Sequence, residues 1–71
     1  MKLTWRRTWP HTPNDGTGTH PDYPDRRARV YLEAGGTRWW WFVSDWRKIG
    51  TGIEETKEEA KEAAEEVFFG E

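Results

Sequence analysis

The spacing of apolar residues near the carboxyl end of the chain predicts an α-helix. From position 60 they recur at i, i+3, i+4, i+7 and i+8, which gathers them on one helix face. These residues are Ala60, Ala63, Ala64, Val67 and Phe68. Thr56 and Glu59 have the spacing of a capping box, and Gly70 can end the helix in the left-handed conformation. Because alanines are small, this face can pack closely on large rings, whereas Phe69 points elsewhere, toward a frayed end or another subunit.

The alternation of residues around the Gly-Gly pair at 35–36 predicts an antiparallel hairpin, closed by a two-residue turn with positive φ at both glycines. One face of this hairpin is apolar and suits the helix. It carries Ala28, Val30, Leu32, Trp39, Trp41 and Val43. The other face carries Arg29, Tyr31, Glu33, Arg38, Trp40 and Phe42. On that second face we expect an ion pair between Glu33 and Arg38. We also expect Arg29 to lie over the Phe42 ring.

Two further segments predict strands and complete the fold class. The stretch LTWRRTW, which begins at Leu3, alternates as a first or edge strand does. After the hairpin the chain is expected to turn near residues 44–45 and to return as a strand from Trp46 to Thr51. The predicted architecture is α+β, an antiparallel sheet of three to four strands packed on one carboxy-terminal α-helix, in a single domain over residues 1–71.

The segment PHTPNDGTGTHPDYPD, at about residues 10–25, holds all four prolines of the chain and two of its seven glycines. Proline removes a backbone donor and interrupts helices and inner strands. The segment is therefore predicted to be a long loop that contains no inner strand. A loop of this length in so short a chain suggests a functional role, or a flap that covers the second face of the hairpin, with Tyr23 as its anchor.

Composition and charge exclude several classes of protein. The chain has no cysteine, so neither disulfides nor thiolate metal sites can hold it together. It has no apolar stretch of about 18 residues and no signal-peptide core, so we expect a cytoplasmic protein without membrane contact. Residues 1–50 carry nine Lys or Arg against five Asp or Glu, a net of +4, and residues 51–71 carry two against eight, a net of −6. This difference in net charge fits a basic binding face with an acidic face on the opposite side of the sheet. It fits equally an acidic helix on an ordinary sheet.

Patterns for catalysis and metal binding are weak in this sequence. The single serine, Ser44, has no histidine near it along the chain. His11 and His20 lie among three aspartates of the proline-rich segment, at spacings that match no metal motif. The stretch NDGTG resembles a calcium loop only at its centre, and the two GTG triplets lack the lysine of a phosphate loop. We therefore expect no enzyme activity, no cofactor and no metal.

The remaining candidate site is the arginine-rich and aromatic face of the hairpin. Its predicted binding residues are Arg27, Arg29, Tyr31, Arg38, Trp40 and Phe42. Arg6, Arg7 and Arg26 are expected to add to its positive charge. Arginine interleaved with aromatic rings is typical of nucleic-acid stacking platforms and equally of protein–protein hot spots. Two other arrangements stay open, because the protein's own long loop can cover the rings or two copies can bury them in a homodimer.

The layout of residues 29–70 resembles a known group of DNA-binding domains. Three strands are followed by a helix that begins with a T-x-E-E-A stretch, formed here by Thr56, Glu58, Glu59 and Ala60. This layout resembles the β3α domains of the AP2 and phage-integrase amino-terminal type, whose sheet lies in the DNA major groove. It is also similar to small uncharacterised proteins of actinobacterial phages and, more distantly, to HicB-like antitoxin sheets. The resemblance implies the architecture alone, because the DNA-contacting arginine and tryptophan positions of AP2 domains are not reproduced.

These observations predict a small non-enzymatic binding protein, a phage-type regulator or inhibitor of a host protein that acts through its Arg-aromatic sheet face. One alternative is a β-sheet DNA-binding protein of the β3α type that uses the same face. Another is a homodimer in which this face is only the dimer interface. Ionic strength separates the first two, because binding to phosphates weakens steeply with salt and binding to an aromatic protein interface does not.

Overall fold

The computed structural model describes residues 2–11 and 14–70 and forms five strands and one helix. The elements are β1 (Thr4–Arg7), β2 (Gly16–Thr19), β3 (Arg27–Leu32), β4 (Trp39–Ser44), β5 (Lys48–Glu54) and α1 (Lys57–Phe69). Each strand pairs antiparallel with the next one in sequence, so the sheet has the order β1-β2-β3-β4-β5. α1 packs against β3, β4 and β5 on one side of the sheet. The predicted α+β architecture is confirmed, with five strands in place of three to four.

The hairpin of β3 and β4 has the predicted register, with Tyr31 opposite Trp40. Its turn differs from the prediction. The Gly36 N–H donates to the Glu33 carbonyl over 3.1 Å, and of the two glycines only Gly35 has a positive φ, 71°. The prediction of positive φ at both glycines was wrong, because the turn begins at Glu33 and only its third position needs a left-handed residue.

β2 corrects the prediction that residues 10–25 contain no inner strand. It lies between β1 and β3, and all four prolines fall outside it, so its backbone donors are intact. A Cβ on Gly18 would lie 2.9 Å from Leu3 Cδ1 and 3.1 Å from the Trp5 ring. Glycine therefore leaves room for the side chains of β1 to cover this strand. The sequence does not reveal this strand, because GTGT has no large side chains that alternate.

β5 also differs from its predicted bounds. It runs over Lys48–Glu54, whereas the sequence placed it from Trp46 to Thr51. Its pairing with β4 is regular at Val43 and earlier residues and shifts by one residue beyond it, as at a β-bulge. Trp46 belongs to the preceding turn and is 80% exposed, with the Arg47 guanidinium 4.5 Å from its ring centroid.

The helix has the caps that the sequence predicts. Thr56 Oγ1 accepts a hydrogen bond from the Glu59 N–H over 3.1 Å, and Gly70 ends the helix with a φ of 72°. Small alanines of α1 face the large apolar residues of the sheet. The buried core consists of Leu3, Ala28, Val30, Trp41, Val43, Ala60, Ala64 and Phe68. The two tryptophans predicted for the core differ, since Trp41 is buried and Trp39 is partly buried at its margin.

Glu65 is a buried carboxylate that the helical pattern did not reveal. Its side chain lies at the edge of the apolar stripe, where the Leu3 N–H donates to Oε2 over 2.8 Å. The Trp5 indole N–H donates to the same oxygen over 3.2 Å, and Lys2 Nζ lies 3.8 Å from Oε1. These bonds satisfy the buried charge and attach the amino-terminal strand β1 to the helix.

Tyr23 anchors the proline-rich segment at the carboxyl end of α1. Its ring centroid lies 5.4 Å from that of Phe68 and 5.6 Å from that of Phe69, and the His20 ring also contacts Phe69. Phe69 therefore does not lie in a frayed end, and its expected contact with another subunit stays a prediction. Arg26 Nη1 donates to the Phe68 carbonyl over 2.7 Å, so this arginine caps the helix and does not join the binding face. Residues 20–25 pack here and do not form the predicted flap over the hairpin.

Trp41→Ala should lower the free energy of unfolding by about 3–5 kcal/mol, because it removes a large buried ring and leaves a cavity. Urea denaturation followed by far-UV circular dichroism measures this change. Trp46→Ala is the matched control and should change stability by less than about 0.5 kcal/mol, since that ring is exposed. Equal urea midpoints for the two variants would contradict the assignment of Trp41 to the core.

Glu65→Ala should lower the free energy of unfolding by about 2–3 kcal/mol, because it leaves the Leu3 N–H and the Trp5 indole N–H without an acceptor. The neighbouring Glu66→Ala removes an exposed carboxylate and serves as the control. Denaturation gives the stability, and the indole proton resonance of Trp5 reports the loss of its bond. If both variants were equally stable, Glu65 would not hold β1 to the helix.

Candidate binding face

The side of the sheet away from α1 forms an open face. Because side chains alternate along each strand, every second residue of β1 to β5 points away from α1 and lies on this face. Its central row runs from Arg6 through Thr17, Arg29 and Phe42 to Thr51, each opposite the next on adjacent strands. A second row joins Tyr31, Trp40 and Ile53. We call this surface, from β1 to β5, the open face.

Four side chains in the middle of the open face form a contiguous group that we call the ring cluster. It consists of Arg29, Tyr31, Trp40 and Phe42. The Arg29 guanidinium lies 5.9 Å from the Tyr31 ring centroid and 5.8 Å from that of Phe42, which confirms the predicted arginine–phenylalanine contact. The rings of Tyr31 and Trp40 are parallel within 7° at a centroid distance of 6.5 Å. All four side chains are partly exposed, so the structure brings these predicted site residues together.

Asp15 holds Arg29 in this position. Its Oδ2 lies 2.9 Å from Arg29 Nη2, and the two side chains are 23% and 36% exposed. The Arg29 Nε is buried and, among the described residues, has no hydrogen-bond partner. Asp15 directly precedes β2, where strand pairing brings it beside β3. This contact was not predicted, because in the sequence Asp15 falls within the proline-rich segment.

A groove of about 430 Å³ adjoins the ring cluster on the β1 side, and we call it the basic groove. It is lined by Arg6, Arg7, Thr8, Trp9, Thr17, Thr19, Arg27, Arg29, Phe42 and Ser44. Arg6 and Arg27 are exposed, and no carboxylate of the described residues lies within ion-pair distance of either. The Thr8 and Thr17 hydroxyls bond each other over 2.8 Å, and Trp9 at the rim is 56% exposed. The groove therefore presents positive charge and hydroxyl groups.

Arg27 and Arg38, the other two predicted site residues, have different environments. Arg27 lines the basic groove, as the sequence predicted. Arg38 lies at the far end of the hairpin, where its Nη2 is 3.2 Å from Glu33 Oε1. This ion pair confirms the predicted partner, but it places Arg38 outside the basic groove. The threonines of β2 and Trp9 were not among the predicted binding residues, since the only signal for them was a strand that the sequence did not reveal.

The charged residues separate onto the two sides of the sheet. The exposed carboxylates of the helix project away from the open face, while Arg6 and Arg27, which no carboxylate of the described residues pairs, lie on it. These helical carboxylates are Glu58, Glu59, Glu62 and Glu66. The difference in net charge between the two parts of the sequence therefore corresponds to a basic face and an acidic helix.

The described residues do not assemble a metal centre or a membrane span. Within residues 2–11 and 14–70, no group of three or more His, Asp or Glu side chains is placed to hold a metal ion. In the same part of the chain, no helix is long and apolar enough to cross a membrane.

Comparison with protein-family models, with curated proteins and with solved structures finds no match to this chain.

Proposed function

We propose that the protein is a non-enzymatic binding protein that holds a nucleic-acid strand on the open face of its sheet. The observation that carries the proposal is the pair of exposed arginines, Arg6 and Arg27, in the basic groove with no carboxylate of the described residues paired to them. Guanidinium groups bind phosphate oxygens bidentately, and the hydroxyls of Thr17 and Thr19 are suited to the same oxygens. The basic groove would follow the phosphate backbone.

The aromatic residues beside the basic groove suit the bases of such a strand. The ring cluster borders the groove on one side, and Trp9 lies at the rim of the groove. Base stacking on aromatic side chains contributes about 1–3 kcal/mol per base and does not depend on sequence. Phosphates in the basic groove and bases on the rings would together give affinity without strong sequence preference.

The density of positive charge favours a nucleic acid as the ligand. Arginine and aromatic residues are enriched in protein interfaces as well, so composition alone does not choose between the two partners. The basic groove has four arginines along its lining, a density of positive charge that suits a phosphate backbone.

A host protein, bound by a phage-type regulator or inhibitor, is the second candidate partner. It is favoured by the apolar residues at the β5 end of the open face, where Ile49 and Ile53 are 37% and 36% exposed. Exposed apolar side chains next to aromatic rings are typical of protein interaction sites. Such a partner would contact the ring cluster more than the basic groove.

Arg6→Ala with Arg27→Ala should weaken binding to a fluorescently labelled oligonucleotide by about tenfold or more, because two phosphate contacts are lost. Fluorescence anisotropy over a series of salt concentrations measures affinity and its salt dependence. The slope of log affinity against log salt should decrease in magnitude by roughly two in the double variant. Lys61→Ala removes a cation from the helix side and is the control.

Two results would contradict the proposal that the ligand is a nucleic acid. The first is unchanged affinity in the double variant. The second is salt-insensitive capture of a protein that survives nuclease treatment and is lost with Trp40→Ala, which would identify the host protein as the partner.

Asp15→Asn should tighten oligonucleotide binding several-fold at low salt. The substitution removes the carboxylate that pairs with Arg29 at 2.9 Å and leaves this guanidinium free for phosphate. Glu62→Gln makes the same change of charge on the exposed side of α1 and should leave affinity nearly unchanged. If both variants changed affinity equally, net charge alone and not the ring cluster would control binding. Circular dichroism checks that both variants remain folded.

A further inference from the structure

A second cavity adjoins the basic groove at the end of the sheet where β2 connects to β3, and we call it the end pocket. It has a volume of about 330 Å³ and shares Arg6, Thr19 and Arg27 with the basic groove. Its other lining residues are Thr4, His20, Pro21, Tyr23 and Pro24. The two cavities are therefore neighbours, and the two arginines that carry the proposed function lie at their common border.

Two consecutive turns form one wall of the end pocket. The Tyr23 N–H donates to the His20 carbonyl over 3.0 Å, and the Arg26 N–H donates to the Tyr23 carbonyl over 3.1 Å. These turns have the sequences HPDY and YPDR, so each has proline as its second residue. Proline at this position already has the φ that the turn requires. The wall is therefore formed before any ligand binds.

The same wall is attached to the carboxyl end of α1. The Tyr23 ring packs on Phe68 and Phe69, and the His20 ring centroid lies 5.3 Å from that of Phe69. The His20 Nδ1 accepts the Asp22 N–H over 3.1 Å, so the proton of the neutral imidazole is on Nε2. A pocket with walls held in this way loses little conformational freedom when a ligand enters it.

The lining of the end pocket suits a nucleobase. Two proline rings, an imidazole and a phenol provide flat surface, and the hydroxyls of Thr4 and Tyr23 provide polar groups for the edge of a base. Within the part of the chain that the structure describes, no carboxylate lines this pocket. The phosphate next to such a base would lie at Arg6 and Arg27.

Strand β3 gives the direction of a path across the open face. Its residues on this face, in order toward the end pocket, are Tyr31, Arg29 and Arg27, about 6.6 Å apart along the strand. The path therefore begins at a ring, passes two cations and ends at the end pocket. Flat apolar surface lies at both ends, and positive charge lies between them.

We propose that the ligand of the open face is a single strand, whose backbone crosses the border at Arg6 and Arg27 and whose bases contact the ring cluster on one side and the end pocket on the other. This inference rests on the proposed function, because it requires these arginines to bind phosphate. A duplex does not suit the arrangement, because its bases stack on one another and present only their edges in the grooves. The bases of a single strand can turn outward and stack on protein rings.

Nuclear magnetic resonance of the full chain tests the contact with the end pocket. An oligothymidylate of about 10 nucleotides should shift the ring resonances of His20 and Tyr23 together with the indole resonance of Trp40. An abasic deoxyribose-phosphate strand of the same length has phosphates and no bases. It should shift the guanidinium resonances of Arg6 and Arg27 and leave the three ring residues nearly unchanged.

His20→Ala should weaken oligothymidylate binding about fivefold, because the stacking of one base is lost, and should not change the salt dependence. His11→Ala removes the other histidine of the chain, which lines neither cavity, and should leave the affinity nearly unchanged. A duplex of the same length should bind on the order of tenfold more weakly than the single strand. Circular dichroism checks that both variants are folded, and the resonances of the wild-type chain test the contact independently of them.

Unshifted His20 and Tyr23 resonances at saturating oligothymidylate would overturn the proposal, even where Arg6 and Arg27 bind phosphate. So would equal affinity for the duplex, or a folded His20→Ala variant that binds as tightly as His11→Ala. Failure of the proposed function gives a different result, because the double variant of Arg6 and Arg27 would then bind every oligonucleotide as the wild type does. A chain that binds no oligonucleotide would overturn both.

Discussion

The packing of Trp41 on the helix side of the sheet determines which way its neighbours point. Its indole occupies the space above Gly52, where a Cβ would lie only 2.7 Å from Nε1. Its N–H donates to Glu54 over 3.1 Å, so the ring is held by both shape and a hydrogen bond. Because side chains alternate along a strand, Trp40 and Phe42 must face away from the helix. A sheet with one helix has no second layer to cover them, and the open face follows from this packing.

The bonds of Glu65 extend this surface by adding β1 and β2 to the sheet. α1 packs on β3, β4 and β5, whereas β1 and β2 join the sheet through backbone pairing, β1 with β2 and β2 with β3. Glu65 adds a bond from the helix to this part of the sheet through Leu3 and Trp5, whose side chains lie over the glycines of β2. Once β1 is in place, Arg6 lies in the same row as Arg29. The basic groove therefore depends on a carboxylate on the opposite side of the sheet.

The sequence predicted those parts of the structure that show a periodic pattern of large side chains. The helix, its Thr56 cap, the β3–β4 register and the grouping of Arg29 with Tyr31, Trp40 and Phe42 all follow from alternation or helical spacing. β2 was missed because a strand of glycine and threonine has no apolar alternation. The contacts of Asp15 and Glu65 could not be predicted, since each joins residues whose closeness depends on β2 and β1 being in the sheet. Arg38 pairs with Glu33 as predicted, just before β4, but lies outside the basic groove.

The net charge of −2 does not exclude an anionic ligand on the open face. Layers of secondary structure pack about 10 Å apart, and exposed charges are largely screened beyond about 8 Å at physiological ionic strength. The carboxylates of α1 project from the far layer, so a ligand on the open face experiences chiefly Arg6, Arg27 and Arg29. Of these, only Arg29 is neutralised by a nearby carboxylate among the described residues. The local charge of the open face is therefore positive although the chain is acidic, and the acidic helix also opposes non-specific adsorption of the protein through its other side.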